Sequence, residues 1–190
     1  MTNSPGFALF ETAIGVCGVV WSERGVAGVE LPQAREGPAR ARLTRRFPRA
    51  AEAPPPPKVR SAIRGMQALL AGEPTDLTGV VLDLKGATDF ERKVYDIARA
   101  IPPGETLTYG EIASRLGAPG AAREVGRALG ANPTPIVVPC HRVLGSGGKV
   151  GGFSAPGGVA TKARMLSIEG ARTSDAPLLF ANLPITVRPA

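Results

Sequence analysis

The spacing of apolar positions changes several times along the chain, and each change predicts a new element. Phe7 to Glu11, Ile14 to Trp21 and Val26 to Leu31 are short apolar or alternating runs, parted by Thr12-Ala13 and by Ser22-Glu23-Arg24-Gly25. Runs of this kind between polar breaks predict three strands in an antiparallel meander. The arginines at 35, 40, 42, 45, 46 and 49, with Glu36 the only acid among them, predict a solvated helix rather than a dedicated nucleic-acid patch. The stiff Pro54-Pro55-Pro56-Pro57 run makes its exit. Val59 to Ala71 reads as an amphipathic helix and Val80 to Leu84 as a short strand, so residues 1–86 form one small α+β unit.

From residue 87 the pattern turns helical. Phe90 to Ile101 carries Val94, Ile97, Ala98 and Ile101 on one stripe and ends at Pro102-Pro103-Gly104. Tyr109 to Leu116 is a short helix stopped by Gly117, Pro119-Gly120 makes a turn, and Ala121 to Leu129 is a second helix stopped by Gly130. That spacing fits a helix-turn-helix. Ile136-Val137-Val138 reads as a buried strand, and Gly158 to Glu169 as a helix closed by Gly170 with Val159, Ala163 and Leu166 inward. The expected division is 1–86, 87–170 and a tail from 171 to 190, with no repeat at periods of 20 to 50 residues.

Composition narrows the field. A hydrophobic fraction of 43% in 190 residues supports a packed core and excludes wholesale disorder. The net charge of +7 raises the prior for a polyanionic partner, although charge alone does not separate nucleic acid from an anionic membrane surface. The start of the chain has no basic leader, and no apolar run approaches the ~20 residues of a membrane span, which leads us to expect a cytoplasmic protein in a reducing compartment with no membrane partner. Two cysteines and one histidine are too few for a Cys/His structural zinc site, so we expect no metal.

The candidate chemistry is concentrated in the second half. On the helix from Ala121, Val125 and Leu129 share one face while Arg123 and Arg127 share the opposite one, and Ala122 and Gly126 are small enough for close approach to another surface. The bland alternative is close helix packing with two solvated arginines. In Pro139-Cys140-His141-Arg142-Val143 the single histidine adjoins one of the two cysteines. A thiol with pKa ~8.5 is mostly protonated at neutral pH, and a neighbouring imidazole can take its proton directly or through one water. Adjacent strand residues point apart, so direct contact requires a turn here, and the alternative is a buried cysteine beside a satisfied histidine. Glu169 closes a helix where the macrodipole disfavours an acid by ~0.3–1 kcal/mol, which suggests a partner: the imidazole, if that helix packs on the Cys140 strand.

These motifs together, Tyr109-Gly110-Glu111-Ile112-Ala113, Asn132-Pro133, Pro139-Cys140-His141-Arg142-Val143 and Gly152-Phe153-Ser154, resemble the O6-alkylguanine-DNA alkyltransferases, also called methylated-DNA–protein-cysteine methyltransferases. The likeness runs from about Thr88 through Gly170; the first 86 residues match only in their strand-rich pattern. It implies an α+β protein with a small N-terminal antiparallel-sheet domain, ribonuclease-H-like, followed by a mainly helical domain with a helix-turn-helix. It further implies a stoichiometric, irreversible transfer of the alkyl group from O6-alkylguanine in double-stranded DNA to Cys140 after base flipping, without a cofactor and in a monomer. Activity on O4-alkylthymine and cooperative assembly on DNA stay open.

The same resemblance distributes roles. His141 deprotonates Cys140 through a water, Glu169 holds His141, and Tyr109 helps protonate the leaving guanine. Asn132 fixes the turn before the cysteine, while Val143, Phe153 and Ser154 belong to the substrate pocket and its turn. Arg123 fills the space of the extruded base, and Ala122, Gly126 and Arg127 lie on the DNA-binding helix. Glu124 and Arg127 stand where the family often has small or neutral residues, and the loop Ser154 to Gly158 is slightly long, which bears on DNA affinity and substrate size. Three rivals remain: an alkyltransferase-like lesion binder, which Cys140 opposes; a Cys-His hydrolase; and a major-groove transcription factor, for which Ala122 and Gly126 offer no base-reading donor.

Overall fold

In the computed structural model, residues 5–173 are described, and of the tail expected at 171–190 only the first three residues fall within that range. The meander forms as the alternation predicts: β1 (Gly6–Thr12), β2 (Gly15–Ser22) and β3 (Gly25–Gln33) pair antiparallel in that order. A two-residue strand, β4 (Ala51–Glu52), adds parallel to β1, so the sheet order is β3-β2-β1-β4. The unbroken apolar run of β2 has a physical cause, because both faces of the sheet are covered. Phe7, Val20 and Leu43 pack together on the side of α1 (Glu36–Arg46), while Cys17, Val19 and Trp21 join Val59, Ile63 and Met66 of α2 (Pro57–Leu70) on the other. Each such large side chain taken from water contributes ~1.5–3 kcal/mol.

Three further helices build the second half: α3 (Asp89–Arg99), α4 (Tyr109–Arg115) and α5 (Ala122–Gly130). Both α3 and α4 begin with a capping box, Thr88 with Glu91 and Thr108 with Glu111, which satisfies the first backbone donors at each start. Gly117 (φ 71°) and Gly120 (φ 103°) take the left-handed conformations that the turn between α4 and α5 needs. Val94, Ala98, Ile112, Val125 and Leu129 fill the space between these helices, and buried Tyr95 donates from its hydroxyl to Ala128 O at 3.0 Å. Two short strands, β5 (Leu107–Thr108) and β6 (Val143–Leu144), pair parallel, and α6 (Gly158–Ile168) closes the chain's described part. No helix among the described residues is long and apolar enough to cross a membrane.

Three sequence expectations are corrected. Val80 to Leu84 is not a strand: only Leu82 bridges to Val26, flanked by bonds from Val26 N to Val81 O (2.9 Å) and from Asp83 N to Val26 O (2.8 Å). Arg99 pins this connection instead, its Nη2 donating to Thr78 O at 2.5 Å and Val80 O at 2.8 Å. Ile136 to Val138 is buried but is not a strand either, because Pro133, Pro135 and Pro139 remove the donors a ladder needs. Val159 is 42% exposed rather than inward, since the first turn of α6 stands clear of the core and its buried face begins at Lys162.

The segment Asn132 to Cys140 ties both halves together. Val29 N of β3 donates to Pro133 O at 2.9 Å, and Ile136 and Val137 insert into the core beneath the sheet. Val138 and Cys140 belong to the helical core.

Candidate active site

With its ladder donors removed by proline, the turn before Cys140 is held by a side chain. Asn132, 8% exposed, donates from Nδ2 to Val138 O at 2.9 Å and accepts at Oδ1 from Thr134 N at 3.0 Å, spanning the loop from inside. Ile136 within it sits at φ 75°, a left-handed conformation that costs a β-branched residue of order 1–3 kcal/mol and persists because both cores grip the segment. The chain then enters a single 3₁₀ turn, Cys140–Arg142, so the turn that a Cys-His contact requires is present.

His141 is fully buried, and its Nε2 lies 2.9 Å from Glu169 Oε1. A carboxylate there requires Nε2 to carry the hydrogen and donate, which leaves Nδ1 as the basic atom. Nδ1 is buried without a hydrogen-bond partner among the described residues. Burial pulls the pKa of His141 down against the opposing pull of Glu169, so the ring is neutral and able to accept a proton. Arg142, which the sequence did not single out, grips the same carboxylate with Nε to Oε2 at 2.8 Å and Nη2 to Oε1 at 2.9 Å, and its Nη1 donates to Ile101 O at 2.5 Å. Burial alone would raise the Glu169 carboxyl, yet the bonds and charges of His141 and Arg142 outweigh it and hold the group at about 2. The misplaced helix-end acid thus has two partners.

Lys162 is the residue that sequence reasoning missed. It is fully buried, an unusual state for lysine, and its Nζ donates to Val143 O at 2.6 Å. Nζ also lies 5.8 Å from the Tyr109 ring centroid and 6.0 Å from that of Phe153, both within cation–π range. Burial lowers its pKa to about 8, with Cys140 opposing. A signal was present: Lys162, Met165, Leu166 and Glu169 recur at helical spacing and share one face of α6. Burial pushes the Cys140 thiol up, while the Asn132 side chain and the charge of Lys162 pull it back. Cys17, fully enclosed in the sheet core, is pushed up to about 12 by burial.

A pocket of about 480 Å³ is lined by Cys140, Asn132, Phe153 and Ser154, together with Gly130 and Arg46. Val143, expected to line a pocket, is instead fully buried in β6 and offers its carbonyl to Lys162. Tyr109 is half-buried and does not line this pocket; its ring faces Gly126 and Gly151, either of which with a Cβ would come within 3.9 Å of it. Burial raises its pKa, so it keeps its proton at neutral pH. On α5, Val125 and Leu129 are buried and Arg123 and Arg127 are exposed; Arg127 pairs with Glu124 at 2.9 Å, whereas Arg123 has no ion pair among the described residues.

A buried thiol with an oriented neutral base, a fixed cation and a phenol hydroxyl gathered around it can activate sulfur for displacement and return a proton to a leaving group. Residues 89–171 match the family model described as 6-O-methylguanine DNA methyltransferase, DNA binding domain. The methylated-DNA–protein-cysteine methyltransferase of Mycobacterium tuberculosis is 46% identical over 127 residues, covering 67% of this chain and 74% of that protein. Its namesake in Methanothermobacter thermautotrophicus is 38% identical over 153 residues, covering 80% and 78%. A crystal structure of Mycobacterium tuberculosis OGT in complex with DNA superposes with a TM-score of 0.70 at 35% identity, covering 87% of this chain and 92% of that one. The chain belongs to the methylated-DNA–protein-cysteine methyltransferase family.

Proposed function

We propose that this protein repairs DNA directly, taking the alkyl group of O6-alkylguanine onto Cys140 in one irreversible step. The observation that carries this reading is the free, buried Nδ1 of His141, left as the accepting nitrogen by the Glu169 contact at Nε2. The thiol proton passes through a water to Nδ1. The thiolate then attacks the O6-bound carbon, the new C–S bond forms as the C–O6 bond breaks, and guanine leaves with that electron pair. Tyr109, kept protonated by burial, helps protonate the departing base, and Lys162 offsets the developing charge on sulfur. A thioether has no acyl carbonyl for water to attack, so each molecule reacts once.

The base must leave the duplex to reach a buried sulfur. We read α4, its glycine turn and α5 as the helix-turn-helix that presents the exposed Arg123 beside small Ala122 and Gly126, with Arg123 filling the vacated stack and Arg127 on phosphate. We read residues 1–86 as a ribonuclease-H-like unit, 87–170 as the reactive unit, and the protein as a monomer of the cytoplasm, where Cys140 stays reduced. Mixing the protein with an O6-methylguanine duplex should add one methyl group to the peptide that contains Cys140, read by intact and peptide mass spectrometry. Label on Cys17, or several turnovers per molecule, would overturn the reading; the latter outcome is the one a Cys-His hydrolase produces.

A further inference from the structure

The arginine-rich segment on α1 takes no part in the chemistry above, and its guanidinium groups fall into two sets. Arg40 is paired with Glu36 and Glu52, and Arg42 with the buried carboxylate of Glu30 at 2.5 Å. Arg45 and Arg46, in the last turn of α1, have no acidic partner within ion-pair distance among the described residues. Arg46 lies over the Phe47 ring, 5.3 Å from its centroid. Both unpaired arginines line the pocket that holds Cys140, as do Arg42 and the Glu30 carboxylate it pairs with, so Arg45 and Arg46 are the charges of that wall left without a counter-ion among the described residues. Gly130 and Ala131, where α5 ends, line the same pocket and add little side-chain bulk to it.

Uncompensated charges on the wall of a concave, partly apolar site focus the local potential and concentrate anions there. The planar guanidinium fork also matches phosphate and carboxylate oxygens two at a time. Arg46 is open to solvent, so an incoming anion can reach it, although the surrounding protein and Arg42 pull its pKa down against Glu30.

We propose that Arg45 and Arg46 form an oxyanion subsite on the wall of the Cys140 pocket, supplied by the N-terminal unit, which takes an anionic group of the substrate. That group is either a backbone phosphate beside the extruded nucleotide or a carboxylate carried on the O6 substituent. The inference rests on alkyl transfer at Cys140 and adds that the first half of the chain reads the substrate.

The double variant R45Q/R46Q in the full chain tests it with three substrates: free O6-benzylguanine, which is neutral; free O6-(4-carboxybenzyl)guanine, which adds only a carboxylate; and an O6-methylguanine duplex, which adds phosphates. Relative to O6-benzylguanine, the rate with the carboxylated base or with the duplex should fall at least ~10-fold, and the substrate that falls identifies the anion. If phosphate is the partner, the slope of log binding constant against log salt for the duplex should also flatten by up to ~2. The charge-preserving R45K/R46K variant should recover part of the loss. Three rates in wild-type ratio with an unchanged salt slope would overturn the subsite, as would an equal fall in all three. Absence of label on Cys140 in the wild-type chain would defeat the reaction itself, a result distinct from either.

Discussion

Replacing Glu169 with glutamine keeps the shape of the side chain and removes its charge. In the wild-type protein the two carboxylate oxygens accept from His141 Nε2 (2.9 Å), Arg142 Nε (2.8 Å) and Arg142 Nη2 (2.9 Å). All three side chains are nearly sealed from water, at 3% exposure for Glu169, 0% for His141 and 6% for Arg142. A carboxyl held at about 2 instead of its ordinary 4.5 corresponds to about 3 kcal/mol of folding free energy. Leaving the Arg142 charge buried and unpaired points to the same range, roughly 3–5 kcal/mol. Because the folded-state value lies below the unfolded one, the contribution is complete above pH ~4.5 and drains away as pH falls toward 2. Urea unfolding at a series of pH values should therefore show the variant less stable by about 3 kcal/mol at pH 7, with the gap closing toward pH 2. At a temperature where the variant is still folded, alkyl transfer at pH 7 should slow by ~10²-fold or more, since the imidazolium loses its counter-charge. A variant within 1 kcal/mol of wild type throughout, reacting at the wild-type rate, would refute both the ion-pair and the orienting roles.

Lys162→Met should raise the apparent thiol pKa of Cys140, measured by the pH dependence of iodoacetamide labelling, because the cation that favours the thiolate below pH about 8 is gone; an unchanged profile would count against that role. Arg123→Ala should slow repair of a duplex by up to ~10²-fold for every 2.7 kcal/mol of extrusion cost left uncompensated, with transfer from free O6-benzylguanine affected far less. Equal slowing with both substrates would mean that Arg123 supports the pocket and not flipping. Thr88→Ala removes the capping box of α3 and should cost about 1 kcal/mol in thermal or chemical unfolding with little effect on the transfer rate of the folded protein.

Local pattern was enough for most of the elements and for the candidate nucleophile. The alternation in β1 to β3, the stripe Val94–Ala98–Ile101 and the glycine stops around α4 and α5 depend on neighbours within a turn or a pleat, which is why they could be read directly. Cys140 beside the single histidine is likewise a fact of adjacency. Packing decided the rest. The apolar run Ile136-Val137-Val138 looks like a strand until proline denies it a ladder and Asn132 supplies the missing bonds from within the loop. The separation of 28 positions between His141 and Glu169 is spanned only because α6 lies against the 3₁₀ turn, which also buries Lys162 over two aromatic rings. Arg45 and Arg46 read as solvated charges in sequence; they line the pocket of Cys140 because α1 packs on one face of the sheet through Leu43. Burial and charge pairing are properties of surroundings assembled from distant segments, and periodicity along the chain carries no record of which distant residue arrives.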